Sequence, residues 1–360
     1  MISLNRTERG RTLVRLGFAG IAVTAACTIC VPATTFADEG GVSFWLPGTY
    51  GSLAAEFQQP GWSLSISDYY ARMSAGSAVS EAREIEIGRF PIGLSATVNA
   101  NFNGNTEMLL VEPTYVFATP FFGGQPSVGM SGFLGRDSGS LMGTLSGTLT
   151  TGGATVPFAR SDNISESVSG VGDLYPLFSL RWSWGVNSLM TYVTGDIPVG
   201  AYDAARLANL GLGHGAIDIG SAYSYYNSES GQELSGTLGF TYNLINPSTQ
   251  YQSGIDLHFD LGASHFFTED FQAGIVGYAY REVGCDSGSG DRLGCFQAQV
   301  LGIGPQIGFI FPVGRMEGYL NLKAYMEFAA ENRPEGWNAW ITFVLSPTAP
   351  GTSSKPITTK

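Results

Sequence analysis

Lysine is nearly missing from this sequence. There are three, Lys323, Lys355 and Lys360, and two of them stand at the very C-terminus. Histidine is as scarce, again with three, and charged residues make up 13% of the chain against ~25% in an ordinary soluble protein. So little positive charge excludes nucleic acid as a partner, because a phosphate backbone demands clustered Lys and Arg. It also excludes a surface that is hydrated all round. Long apolar runs are missing too: past residue 37 nothing approaches the ~18 residues that a spanning helix needs. An exported chain of this kind can enter a bilayer only as a closed β-barrel. No P-loop, dinucleotide glycine fingerprint or HExxH stretch is present, so no cofactor and no metal is expected.

What is there begins with an N-terminus laid out as a secretory signal peptide. Arg6, Arg9, Arg11 and Arg15 precede an apolar run from Leu16 to Ala33, and Thr35-Phe36-Ala37 offers a small-x-small cleavage site. An uncleaved anchor and a lipid anchor at Cys27 are the weaker alternatives. Removing 1–37 leaves 323 residues with 14 basic and 29 acidic side chains, a net charge of −15. Cys27 and Cys30 leave with that peptide. Cys285 and Cys295 remain, bracketing a short polar loop, and in an oxidising compartment they are expected to pair across a hairpin tip.

Runs of about ten residues then repeat with period two. In residues 233–243, Leu234, Gly236, Leu238, Phe240 and Tyr242 share one face, and Glu233, Ser235, Thr237, Thr241 and Asn243 the other. In 255–261, Ile255, Leu257, Phe259 and Leu261 oppose Asp256, His258 and Asp260. A soluble β-sandwich alternates in the same way. The long oily faces and mid-strand charges favour the barrel, as do Trp and Tyr near strand ends (Trp182, Trp184, Tyr223, Tyr225, Trp337, Trp340), which suit an interfacial girdle. The expected fold is an all-β transmembrane antiparallel barrel of 12 to 14 strands over 61–346, with a flexible tail at 347–360. Fourteen candidate runs are visible, among them 92–102, 108–117, 126–135 and 139–150, but 108–117 contains Pro113, and 176–184 with 187–194 reads as one irregular hairpin or as something looser. Residues 151–172 and 195–213 read as irregular connections at a barrel mouth or folded into the lumen. Residues 38–60 form an N-terminal segment whose stretch 41–57 resists alternation. It reads equally as a lumen plug or as an ordinary first strand.

Several stretches in order, among them FWLPGTYGSLAA (44–55), PGWSLSISDYYA (60–71), GAYDAARLANLGLG (200–213), TYNLINPSTQYQSGIDLH (241–258), GIGPQIGFIFP (302–312) and LNLKAYMEF (320–328), closely resemble the outer-membrane proteins named for the meta-cleavage (MetA) pathway of phenol degradation. The resemblance spans nearly all of the mature chain. It implies a channel or transporter of the bacterial outer membrane, surrounded by lipid and lipopolysaccharide and associated with uptake of hydrophobic or aromatic compounds. It does not imply a ring-cleaving enzyme.

The functional expectation is passive uptake of hydrophobic or aromatic small molecules, with no catalysis. A general or structural porin is the alternative, followed by a secreted β-rich binding protein and a lipid hydrolase. The hydrolase would need a serine and histidine at the lipid face, and Ser264 and His265, being adjacent, point to opposite sides of a strand. The lumen and gate candidates are Asp256, His258, Asp260, Glu233, Lys323, Glu327 and Arg181, which either pair with one another or set a selecting field. The solute-patch candidates are Trp45, Leu46, Tyr50, Tyr69, Tyr70, Tyr202, Leu207, Leu210 and Leu212, for which loop packing or girdle duty is the plainer role. Oligomeric partners are not legible, since lipid-facing and subunit-facing surfaces are equally apolar.

Overall fold

A computed structural model describes residues 43–87, 90–151, 154–291, 295 and 297–348. Residues 1–42, with the expected signal peptide, and the expected tail beyond 348 lie outside them. Twelve strands follow one another: β1 (Gly61–Ile87), β2 (Phe90–Val116), β3 (Gln125–Thr151), β4 (Ala154–Trp184), β5 (Asn187–Asp196), β6 (Ala216–Asn227), β7 (Gln232–Asn243), β8 (Ile255–Phe266), β9 (Phe271–Glu282), β10 (Gln299–Val313), β11 (Met316–Glu331) and β12 (Glu335–Pro347). Each pairs antiparallel with its neighbours in sequence, and β12 pairs with β1 to close the barrel.

The inside and outside of this barrel follow from the period-two pattern. On β7 the outward Leu234, Leu238, Phe240 and Tyr242 are each about half exposed, while Glu233, Ser235, Thr237, Thr241 and Asn243 between them are buried. Ile255 and Phe259 of β8 face outward, and Asp256, His258 and Asp260 are sealed inside. A sandwich would bury the apolar faces. Here they form the outer surface, where a charge would cost ~2–4 kcal/mol at the bilayer midplane.

The two ends of the barrel differ. At one end the connections are short: residues 185–186, 228–231, 267–270 and 314–315 suffice for four of them. At the other end lie 197–215, 244–254 and 283–298. Cys285 and Cys295 are joined by a disulfide in the last of these. Next to it, burial pushes the Asp286 carboxyl above the ordinary carboxylate range.

Strands β1 to β4 are far longer than the rest. They run 27, 27, 27 and 31 residues, against 10 to 16 for the other eight. At ~3.3 Å per residue, 27 residues reach about 90 Å and 12 residues about 40 Å. The excess stands at the end with the long connections and forms a four-stranded curtain above the barrel. This corrects two sequence expectations. The runs 92–102 and 108–117 belong to one strand, as do 126–135 and 139–150, so the fourteen candidates become twelve strands. Pro113 lies within β2, opposite Leu64, and takes no part in the β2–β3 register. Residues 154–172, expected to be irregular, are strand throughout and pair with β3. Their side chains are mostly exposed on both faces. Apolar alternation marks contact with lipid, and a strand beyond the membrane has no reason to show it.

Residues 43–60 contain no strand. The alternative of an ordinary first strand is therefore replaced by an irregular segment, and its contacts define the interior.

Candidate functional site in the barrel lumen

Residues 44–58 are held inside the barrel by a ladder of side chains from the wall. Gly48 and Tyr50 donate their backbone N–H groups to the two oxygens of Asp260, at 2.8 and 3.1 Å. Lys323, on β11, donates to the carbonyls of Gly48 and Thr49 at 2.5 and 3.0 Å and lies 5.0 Å from the centre of the Trp340 ring. Leu53 donates to Glu233 at 2.8 Å, and Ala55 to the Ser224 hydroxyl at 2.9 Å. Ser52 shares a hydrogen bond with Ser264 at 2.8 Å and accepts another from Gln306 at 2.6 Å. Gln58 and Gln125 exchange two. The segment has no regular secondary structure of its own, so its buried backbone groups must find partners elsewhere, and the inward polar positions of six strands supply them.

An aromatic stack sits above this ladder. The Trp45 ring lies 3.7 Å from that of His258 and nearly parallel to it, with Tyr50 and Tyr192 at 5.8 and 6.0 Å. His258 Nε2 is 2.8 Å from the Asp218 carboxylate, which also accepts from Thr241 at 2.6 Å. The aspartate that His258 pairs with is Asp218 on β6. The strand neighbours of His258, Asp256 and Asp260, serve Asn243 and the N-terminal segment instead. Asp218 was legible: it falls on the inward parity of β6.

All seven lumen candidates point inward. Arg181 donates to Ser127 and Ser179 at 3.2 and 2.6 Å, and Glu327 accepts from the Tyr278 hydroxyl and from Gly336 N–H. The solute-patch candidates divide. Leu46, Tyr69, Tyr202, Leu207, Leu210 and Leu212 line one cavity of 220 Å³ at the mouth. Trp45 and Tyr50 belong to the stack below it. Tyr70 alternates with the inward Tyr69 and packs on Trp337 at 5.2 Å, on the outer face. Trp340, expected in the girdle, is buried inside and packs against Tyr69 with ring centres 4.5 Å apart.

The mouth cavity is shaped by an irregularity that the sequence does not advertise. Gly132 of β3 faces Leu174, and Leu134 faces Val171, so Gly172 and Asp173 together oppose Phe133. This bulge in β4 re-aims the chain. The Phe133 ring lies over Gly172, where a Cβ would collide with it, and lines the cavity. Asp173 turns inward and accepts from Gly200 and Leu212 N–H at 2.6 and 2.7 Å. Ala201 donates to the Val171 carbonyl and Leu207 to Glu166. These bonds fold the connection 197–215 against the curtain and bring Tyr202, Leu207, Leu210 and Leu212 over the lumen. Met108, Phe133 and Tyr175 complete the apolar wall, and Phe44 the floor.

A model of the family described as "Putative MetA-pathway of phenol degradation" matches residues 88–343. The chain belongs to this family. Among solved structures, the fold is similar to that of the COG4313 outer membrane channel from Pseudomonas putida F1, with a TM-score of 0.53 and 14% identity over 83% of this chain and 98% of that one. A FadL homologue from Pseudomonas aeruginosa is a more distant likeness, with a TM-score of 0.33 and 9% identity over 88% of this chain and 98% of that one. A comparison with curated proteins finds no match. Fold similarity to that outer-membrane channel agrees with the closed twelve-stranded antiparallel barrel described above.

Proposed function

We propose that this protein is an outer-membrane channel for passive uptake of hydrophobic or aromatic small molecules, and that residues 43–58 plug its lumen. The observation that carries the reading is the contrast along the channel axis. An apolar cavity built from Tyr69, Met108, Phe133, Leu207, Leu210 and Leu212 stands at the mouth. Below it the interior is occupied by a segment whose hydrogen bonds are met by the wall. A general pore has no use for an oily vestibule above a filled lumen. A channel for sparingly soluble molecules needs both, because the vestibule concentrates the solute and the filling denies passage to sugars and ions. The adjacent Ser264 and His265 support no hydrolytic reading: Ser264 is engaged inside by Ser52 and Gln306, and His265 pairs with Gln232.

Purified protein in liposomes tests the proposal. It is expected to accelerate entry of toluene while leaving sugar-driven swelling near the protein-free rate. Rapid sugar swelling with unchanged toluene entry would assign it to the general porins instead.

A further inference from the structure

The mature chain carries a net negative charge, yet three of its few arginines, Arg72, Arg206 and Arg333, line the mouth cavity. Two carboxylates line it too, and both are engaged locally. Asp137 accepts from Thr106 at 2.7 Å, and both oxygens of Glu327 are taken by Tyr278 and Gly336. Among the described residues the ion pairs are Arg206–Asp203, at 3.8 Å on the exposed rim, and His258–Asp218 below. Arg333, in the turn between β11 and β12, has neither kind of partner. Its guanidinium carbon lies over Tyr280, 4.7 Å from the ring centre, while Nε and Nη1 are shielded from solvent and donate to nothing. A guanidinium that lines an apolar cavity without a carboxylate partner of its own is a charge-assisted donor for a carboxylate that enters.

We infer that the mouth cavity is a binding site for small amphipathic anions, an apolar ring or short chain bearing one carboxylate, with Arg333 holding the carboxylate and Met108, Phe133 and Leu210 the apolar body. The inference deepens the uptake reading and rests on it for its physiological sense. At 220 Å³ the cavity is smaller than the ~300–1,000 Å³ that drug-sized ligands occupy, which favours a single ring. A neutral aromatic satisfies the apolar wall and leaves the guanidinium unpaired. A hydrophilic anion does the reverse.

Equilibrium titration of the purified full chain in detergent, with sodium benzoate, benzamide and sodium acetate as probes and tryptophan fluorescence and calorimetry as readouts, tests it. Benzoate is expected to bind at least about tenfold more tightly than benzamide, a difference of ~1.4 kcal/mol, with acetate weaker than both. In Arg333→Gln that ratio should collapse towards unity, and in Arg333→Lys, which keeps the charge and loses the planar guanidinium over Tyr280, it should fall part of the way. Equal affinities for benzoate and benzamide in the unmodified protein would overturn the inference without any variant. So would a ratio that survives in Arg333→Gln protein retaining its heat-modifiable band. The uptake proposal stands or falls separately, on toluene entry into liposomes.

Discussion

The lower lumen and the mouth belong to one closed sheet but are finished in opposite ways. Below, inward polar groups of six strands bond the N-terminal segment, among them Asp260, Lys323, Glu233, Ser224, Gln306 and Gln125. Above, the wall is apolar and Arg333 keeps two donors without acceptors. Matched groups immobilise what they hold, because removing one partner strands the other in a dry interior. Unmatched groups beside a cavity cost stability and gain a use only when something enters. Under the uptake proposal, the filled part of this barrel serves permanence and the vacant part exchange.

The sharpest way to break the contrast is to remove the filling. Replacing residues 44–58 by a Gly/Ser stretch of equal length should raise single-channel conductance severalfold and admit sugars in the swelling assay, and an unchanged conductance would refute the plug. Asp260→Ala is next in size. It leaves Gly48 and Tyr50 N–H without acceptors and Lys323 without a nearby carboxylate, so a loss of about 3–5 kcal/mol of local stability is expected, read as plug proteolysis in the otherwise folded barrel. Trp45→Ala removes the ring stacked on His258 and should cost ~3–5 kcal/mol at that site, visible as intermittent opening in conductance traces. Gly172→Ala acts on the mouth alone: its Cβ displaces Phe133, which should weaken toluene binding and leave conductance as it was. Smallest of all is Cys285→Ser with Cys295→Ser. The disulfide's loop-closure contribution of ~3 kcal/mol is confined to one outer loop, so loop proteolysis should quicken while toluene uptake is maintained.

Much of the fold was legible because lipid imposes a strict period. Glu233, Asp256, His258, Asp260, Lys323, Glu327 and Arg181 all face inward as alternation requires. The same rule, applied more strictly, separates Tyr69 from Tyr70 and Trp340 from Trp337, since residues of opposite parity cannot share a girdle. The curtain was illegible for a physical reason. Residues 154–168 face water on both sides, and a strand in that setting has the Ser, Asp and Asn composition of a loop. The bulge at Gly172–Asp173 left no periodic trace either. It was therefore hidden that Asp173 gathers the connection 197–215 over the lumen, and that Phe133 and Met108 join the cavity from strands drawn elsewhere. Arg333 gave no signal at all, because its significance lies in the bonds it does not make.

A tube has no free margin, but this one is a tube only as high as all twelve strands reach. Register between β1 and β12 ends at Ser74, and that between β4 and β5 begins at Leu177. Above those levels β1 to β4 are a ribbon with two sides, and hoop-like closure lends them nothing. Amide hydrogens there should exchange hairpin by hairpin, while those of the lower barrel wait for the whole ring to part. One continuous sheet therefore carries two mechanical regimes, rigid where it meets lipid and compliant where it first meets the outside world.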